Sequence, residues 1–101
     1  MIEYLVEIEL NFPPEPNNLV DERKAQEAAR ARQLRAEGTI VRIWRVPGRR
    51  ANVGIWRAED PTALHNAVAS LPLFPYMDVR VVPLADHYVE QDLAHGEQAS
   101  G

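Results

Sequence analysis

Two residues one helical turn apart, Lys24 and Glu27, are the strongest candidates for chemistry in this 101-residue chain. A carboxylate in a partly dry pocket has a raised proton affinity, which suits it to take a proton from carbon. An ammonium nearby favours the ionised carboxylate and can stabilise an enolate oxygen. Both residues lie in NNLVDERKAQEAARARQLRAEG, whose spacing predicts a helix from about Asn18 to Glu37. Val20, Ala31 and Leu34 share one face of that helix, and Lys24 and Glu27 fall on the same face between them. Pairs at this spacing are more often surface ion pairs than sites, each worth about 0.2–0.5 kcal/mol. Periodicity alone therefore leaves two readings: charges that snorkel at the edge of the stripe, or a helix that borders a polar pocket.

Arginine is the second feature. Five arginines and no acid stand between Arg42 and Arg57, which reads equally as a solvated hairpin face or as an anion site. Trp44 can wall a pocket beside Arg42, whereas Trp56 reads as core. His65 reads as a partly exposed packing residue. His87 and His95 are too isolated to suggest a metal set. The chain has no cysteine, so thiolate chemistry and disulfides are excluded. It carries no phosphate loop and no dinucleotide fingerprint. The net charge of −4 argues against a general nucleic-acid binder. No apolar run approaches a membrane span, and MIEYLVEIEL has acids within its apolar run and no basic start, unlike a signal peptide. A cytoplasmic protein is expected.

The elements that must position these residues follow from periodicity and punctuation. Ile2, Tyr4, Val6, Ile8 and Leu10 alternate with Glu3, Glu7 and Glu9, a strand with one buried face. Three prolines between Asn11 and Asn17 end it, and Asn17 or Asn18 can cap the helix that follows. Gly38 stops that helix. Thr39 to Val46 and Ala51 to Arg57 form a hairpin about Pro47-Gly48-Arg49-Arg50. Asp60-Pro61 starts a second helix through Leu64, Ala67, Val68 and Leu71, which Pro72 and Pro75 break. Val79 to Leu84 is the last strand, and Pro83 suits an edge position or the strand's end. The order β-α-β-β-α-β predicts an α+β, ferredoxin-like fold: a four-stranded antiparallel sheet with two helices on one face. With 46% hydrophobic and 26% charged residues the chain is an ordinary globular domain rather than a disordered one, and its small core makes oligomerisation a source of added stability.

One stretch is unusual: Leu71 to Asp78, LPLFPYMD, where two prolines three apart enclose an aromatic. Physically it reads as a rigid corner. It also resembles a stretch characteristic of the muconolactone Δ-isomerases and the related chloromuconolactone dehalogenases. Glu37-Gly38-Thr39, Trp44-Arg45, Gly48 with Ala51-Asn52, Leu64-His65, and Lys24 with Glu27 join the resemblance, which covers roughly residues 1 to 88.

The resemblance implies a cofactor-free isomerase of aromatic-compound degradation by the β-ketoadipate route in bacteria. It implies a lactone carboxylate as substrate, muconolactone or a substituted relative, and 3-oxoadipate enol-lactone as product. It implies Glu27 as the proton carrier, Lys24 as its partner and Arg45, with Arg42 second, on the substrate carboxylate. Trp44, Asn52 and His87 fall at matching positions near the pocket. It implies dimers joined through their sheets and assembled into a decamer. Residues 1–88 would then be the isomerase domain and 89–101 a polar tail held against a neighbouring subunit. Several positions depart from the family's pattern: Ile40 and Val41 in place of Trp-Arg, Arg50 in place of a tyrosine, and Gly54 in place of a serine. His87-Tyr88 also stands in place of His-Pro. The expectation is a retained base under an altered lining. Three functions fit it: the isomerase, a relative acting on another lactone or enolisable acid (for example by dehalogenation of a chloromuconolactone), or a non-catalytic relative.

Overall fold

The computed structural model describes residues 1–13, 18–91 and 93. The chain runs β1 (Ile2–Leu10), α1 (Asn18–Glu37), β2 (Ile40–Arg45), β3 (Ala51–Ala58), α2 (Pro61–Ala69), a 3-10 turn (Phe74–Tyr76) and β4 (Met77–Leu84). The strands form one antiparallel sheet in the order β2-β3-β1-β4. This is the expected ferredoxin-like α+β arrangement, and Pro83 does lie on an edge strand.

The period-two pattern of β1 decides which face is covered. Tyr4, Val6 and Ile8 point inward and are buried, joined by Trp56 and Ile40 of the sheet, Leu34 of α1, and Leu64 and Val68 of α2. One cluster holds residues of both helices, so both helices cover one face. Each such side chain contributes about 1.5–3 kcal/mol on full burial. The alternate residues of β1 face outward. There Glu3 pairs with Arg57 at 3.0 Å, and Arg49 pairs with Glu7 at 3.5 Å and with Glu9.

Helix α1 ends as anticipated, with Gly38 at φ +84. The cap expected at Asn17 or Asn18 falls outside the described side chains. Helix α2 has the expected start: the Asp60 carboxylate accepts from the Ala63 N–H at 2.8 Å, and Pro61 takes the first turn. It stops at Ala69, earlier than the apolar spacing predicts. Leu71 is buried but sits past the helix, in the turn that Pro72 and Pro75 impose. The last strand starts two residues early, at Met77, because the 3-10 turn delivers the chain straight into pairing with Leu10.

A bulge lies in β2 between Ile40 and Arg42, where the pairing with β3 shifts. Beside it, the two strands approach closely at Gly54. A Cβ there would stand 2.7 Å from the Arg42 carbonyl oxygen and 3.3 Å from the Ile43 Cα. Gly54→Ser is therefore expected to cost about 1–3 kcal/mol by forcing backbone apart. Denaturant unfolding checks this, and an unchanged midpoint would show that the hairpin yields freely.

Candidate active site

Glu27 is half-buried on α1 between the buried Val20 and Leu34. Its Oε1 accepts a hydrogen bond from the backbone N–H of Leu73 at 2.9 Å. Leu73 lies in the corner LPLFPYMD, so that stretch does more than turn the chain. Phe74 N–H donates to Leu71 O and Tyr76 N–H to Leu73 O, both at 2.9 Å, which fixes the corner's backbone. Arg30 Nε donates to Ser70 Oγ at 2.9 Å and ties α1 to the same connection. Desolvation by burial raises the Glu27 carboxyl above its ordinary range, and the Leu73 N–H offsets part of that rise.

Lys24 is exposed. No ion pair joins them among the described residues, so the simple pair suggested by their spacing is not what the fold makes. Instead the Lys24 ammonium lies 4.5 Å from the centre of the Phe12 ring. Phe12 follows β1, where Asn11 N–H donates to Tyr76 O at 2.8 Å and the Phe12 and Tyr76 rings stand 6.0 Å apart.

Lys24 thus faces a cleft of about 500 Å³ at the Leu10 end of the sheet. Phe12, Trp44, Arg45, Arg50, Asn52 and Leu73 also border it. Glu27 is not among its walls; it joins the cleft through Leu73. The Asn52 Oδ1 is buried and has no hydrogen-bond partner among the described residues. Of the residues singled out in the sequence, Lys24, Arg45 and Asn52 come together here, while Trp44 only edges the cleft, since it pairs with Val53 on the outer face of the sheet. Arg42 does not line the cleft: it pairs with Ile55 on the outer face of the sheet, its guanidinium 5.0 Å from the Trp44 ring. His87 stands beyond β4, past Leu84, which pairs with Glu3. It is therefore at the opposite end of β1 from the cleft, roughly 25 Å away by strand rise. There its Nδ1 accepts from the Val89 N–H at 3.1 Å and its ring stacks on Tyr88. His65 packs edge-on against Phe74, and Trp56 is wholly buried, as their sequence contexts suggest.

The altered positions also sort themselves. Ile40 is buried in the core, Val41 lies in the bulge and Gly54 is pressed against the Arg42 backbone. None of the three borders the cleft; only Arg50 does. The lining is less altered than the sequence suggests, because the β2 bulge takes the first two substitutions away from it. Sequence reasoning passed over Phe12 and Leu73. Phe12 carries a signal in retrospect, an aromatic set among prolines after a strand. Leu73 acts through its backbone and carries none.

A half-buried carboxyl whose proton affinity is raised by burial, near a cation-lined cleft on a ferredoxin-like sheet, suits acid–base chemistry. Comparison narrows the class: the chain belongs to the muconolactone delta-isomerase family, whose model matches residues 2–90. It is 42% identical over 85 residues to the muconolactone delta-isomerase of Cupriavidus pinatubonensis, covering 83% of this chain and 92% of that one. It is 40% identical over 83 residues to muconolactone delta-isomerase 2 of Acinetobacter lwoffii, covering 81% and 86%. The crystal structure of muconolactone isomerase superposes with a TM-score of 0.77 at 34% identity, over 84% of this chain and 90% of that one.

Proposed function

We propose that this chain is a cofactor-free isomerase that converts muconolactone to 3-oxoadipate enol-lactone in the β-ketoadipate route. The observation that carries the reading is Glu27, a carboxyl made more basic by burial and set beside the cleft in a chain of this family. The Glu27 carboxylate takes the proton from the ring carbon that bears the carboxymethyl arm. The electron pair of the broken C–H bond spreads into a dienolate. The same carboxyl then returns the proton to the carbon next to the lactone carbonyl, and the double bond moves. One carboxyl serving both steps needs no other acid or base. The Lys24 ammonium stabilises the dienolate oxygen. Arg45 holds the arm's carboxylate through its planar fork, and the Asn52 amide orients the lactone; Trp44, paired with Val53 on the outer face beside Arg42, is not assigned to it. Arg42, on the outer face, is not assigned to the carboxylate. The burial of Glu27 weighs against a non-catalytic relative, in which a desolvated carboxylate would bring cost without use.

Residues 1–88 are the catalytic domain in this reading; the tail expected at 89–101 falls mostly outside the described residues. Leu5, Val53, Ile55, Val82 and Leu84 make an apolar stripe on the uncovered face of the sheet, framed by the Arg49 and Arg57 ion pairs. That stripe supports pairing of two sheets, with the decamer following from the family resemblance. His87, remote from the cleft of its own chain, meets a cleft only in another subunit. No helix among the described residues is long and apolar enough to cross a membrane, and a bacterial cytoplasmic setting belongs to the same reading.

The test is turnover of muconolactone by the purified protein, followed by ultraviolet absorbance, with chloride release from a chlorolactone measured alongside. Formation of the enol-lactone supports the reading. Inert muconolactone beside a reactive chlorolactone would replace it with dehalogenation.

A further inference from the structure

Three cations border one cleft: Lys24 from α1, Arg45 from the end of β2, and Arg50 just before β3. Arg45 and Arg50 flank the mouth of the hairpin, which closes with Val46 N–H donating to Ala51 O at 3.0 Å. Lys24 and Arg50 stand over the same Phe12 ring, at 4.5 Å and 5.8 Å from its centre. None of the three has a carboxylate partner among the described residues. Cations gathered without counter-ions repel one another, and anionic groups of a ligand relieve that repulsion.

A lactone with a single carboxylate leaves one of these cations idle. Its arm occupies Arg45 and its developing oxyanion occupies Lys24. Arg50 remains, with a guanidinium suited to bind a carboxylate in two places. Arg50 is also the one altered position that reaches the cleft. Resting on the proton-transfer reading above, we infer that the cleft selects a butenolide carrying two carboxylates, the second held by Arg50. That second group sits on an atom other than the ring carbon that bears the arm. That carbon must keep its hydrogen for Glu27 to remove.

Binding tests this without turnover. Two saturated lactones, neither able to isomerise, serve as probes: 5-oxotetrahydrofuran-2-acetate and its analogue with a further carboxylate at the 3-position of the ring. Isothermal titration calorimetry measures the affinity of each. The dicarboxylate is expected to bind roughly tenfold or more tightly than the monocarboxylate. Arg50→Gln should bring that ratio close to one, Arg50→Lys should restore part of it, and Arg49→Gln should leave it in place. Equal binding in the unaltered protein, or a preference that survives Arg50→Gln, overturns the inference. So does a preference lost equally in Arg49→Gln, which would mark a general field and no specific contact. Failure of the proton-transfer reading shows separately: muconolactone and its 3-carboxy derivative would both stay inert while the dicarboxylate preference persisted.

Discussion

Glu27→Gln is expected to lower kcat on muconolactone by roughly 10²–10⁴-fold, the usual contribution of a positioned acid–base group. The substitution removes the proton carrier and little else. A glutamine Oε1 can still accept from the Leu73 N–H that now binds the carboxylate at 2.9 Å. Stability should not suffer, and the sign can be worked out. Burial raises the folded-state pKa above the unfolded one, so the native protein holds this proton more tightly. The stability this contributes is present below the unfolded pKa and is lost as pH rises through the folded pKa. Above its folded-state pKa the native state therefore carries the cost of an ionised, half-buried group, and glutamine relieves it. The variant's Tm at pH 7 should equal or exceed that of the unaltered chain. Steady-state kinetics with thermal unfolding on one preparation checks both parts. Near-full turnover would remove Glu27 from the reaction.

Lys24→Gln is expected to lower kcat by about 10²–10³-fold, with KM changed much less. A group that stabilises charge only in the transition state acts on kcat, whereas a group that binds the resting carboxylate acts on KM. Since Lys24 makes no ion pair with Glu27 among the described residues, the loss reports on the dienolate and not on a broken pair. The lost contact with the Phe12 ring is worth only about 0.5–1 kcal/mol at an exposed site, too little to imitate the effect. Lys24→Arg should restore part of the rate. A rise in KM with kcat unchanged would make Lys24 a third carboxylate clamp.

The architecture was legible because it follows from period and punctuation. Alternation from Ile2 to Leu10, the stop at Gly38, the hairpin turn at Gly48 and the start at Asp60-Pro61 each had a local physical cause, and each stands where expected. Glu27 was legible as a charge on an inward stripe. Its partner was not. A side chain's place on a helix face gives its direction but not the atom it meets, and the group that meets Glu27 is a backbone N–H from a corner 46 residues away. The same limit misread the altered positions. In sequence, Ile40, Val41 and Gly54 looked like pocket lining. In three dimensions the first is core, the second lies in the bulge and the third fills a gap too narrow for a Cβ. Arg45 stands ahead of Arg42 as the anion clamp in the family resemblance, and three apart on one strand the two must point to opposite faces. Pairing with Ile55 sends Arg42 to the outer face, while pairing with Asn52 leaves Arg45 at the cleft.

Because burial is what makes Glu27 a better base, the pH dependence of catalysis carries its signature. The ionised carboxylate is the active form, so kcat/KM for muconolactone should fall as pH drops through the folded-state pKa of Glu27. Measured from pH 4 to 9, the acidic limb is predicted to have its midpoint above the ordinary glutamate value of about 4.3 and to be absent from the residual activity of Glu27→Gln. A rate that stays level down to pH 4, or an acidic limb that persists in Glu27→Gln, would contradict Glu27 as the proton carrier.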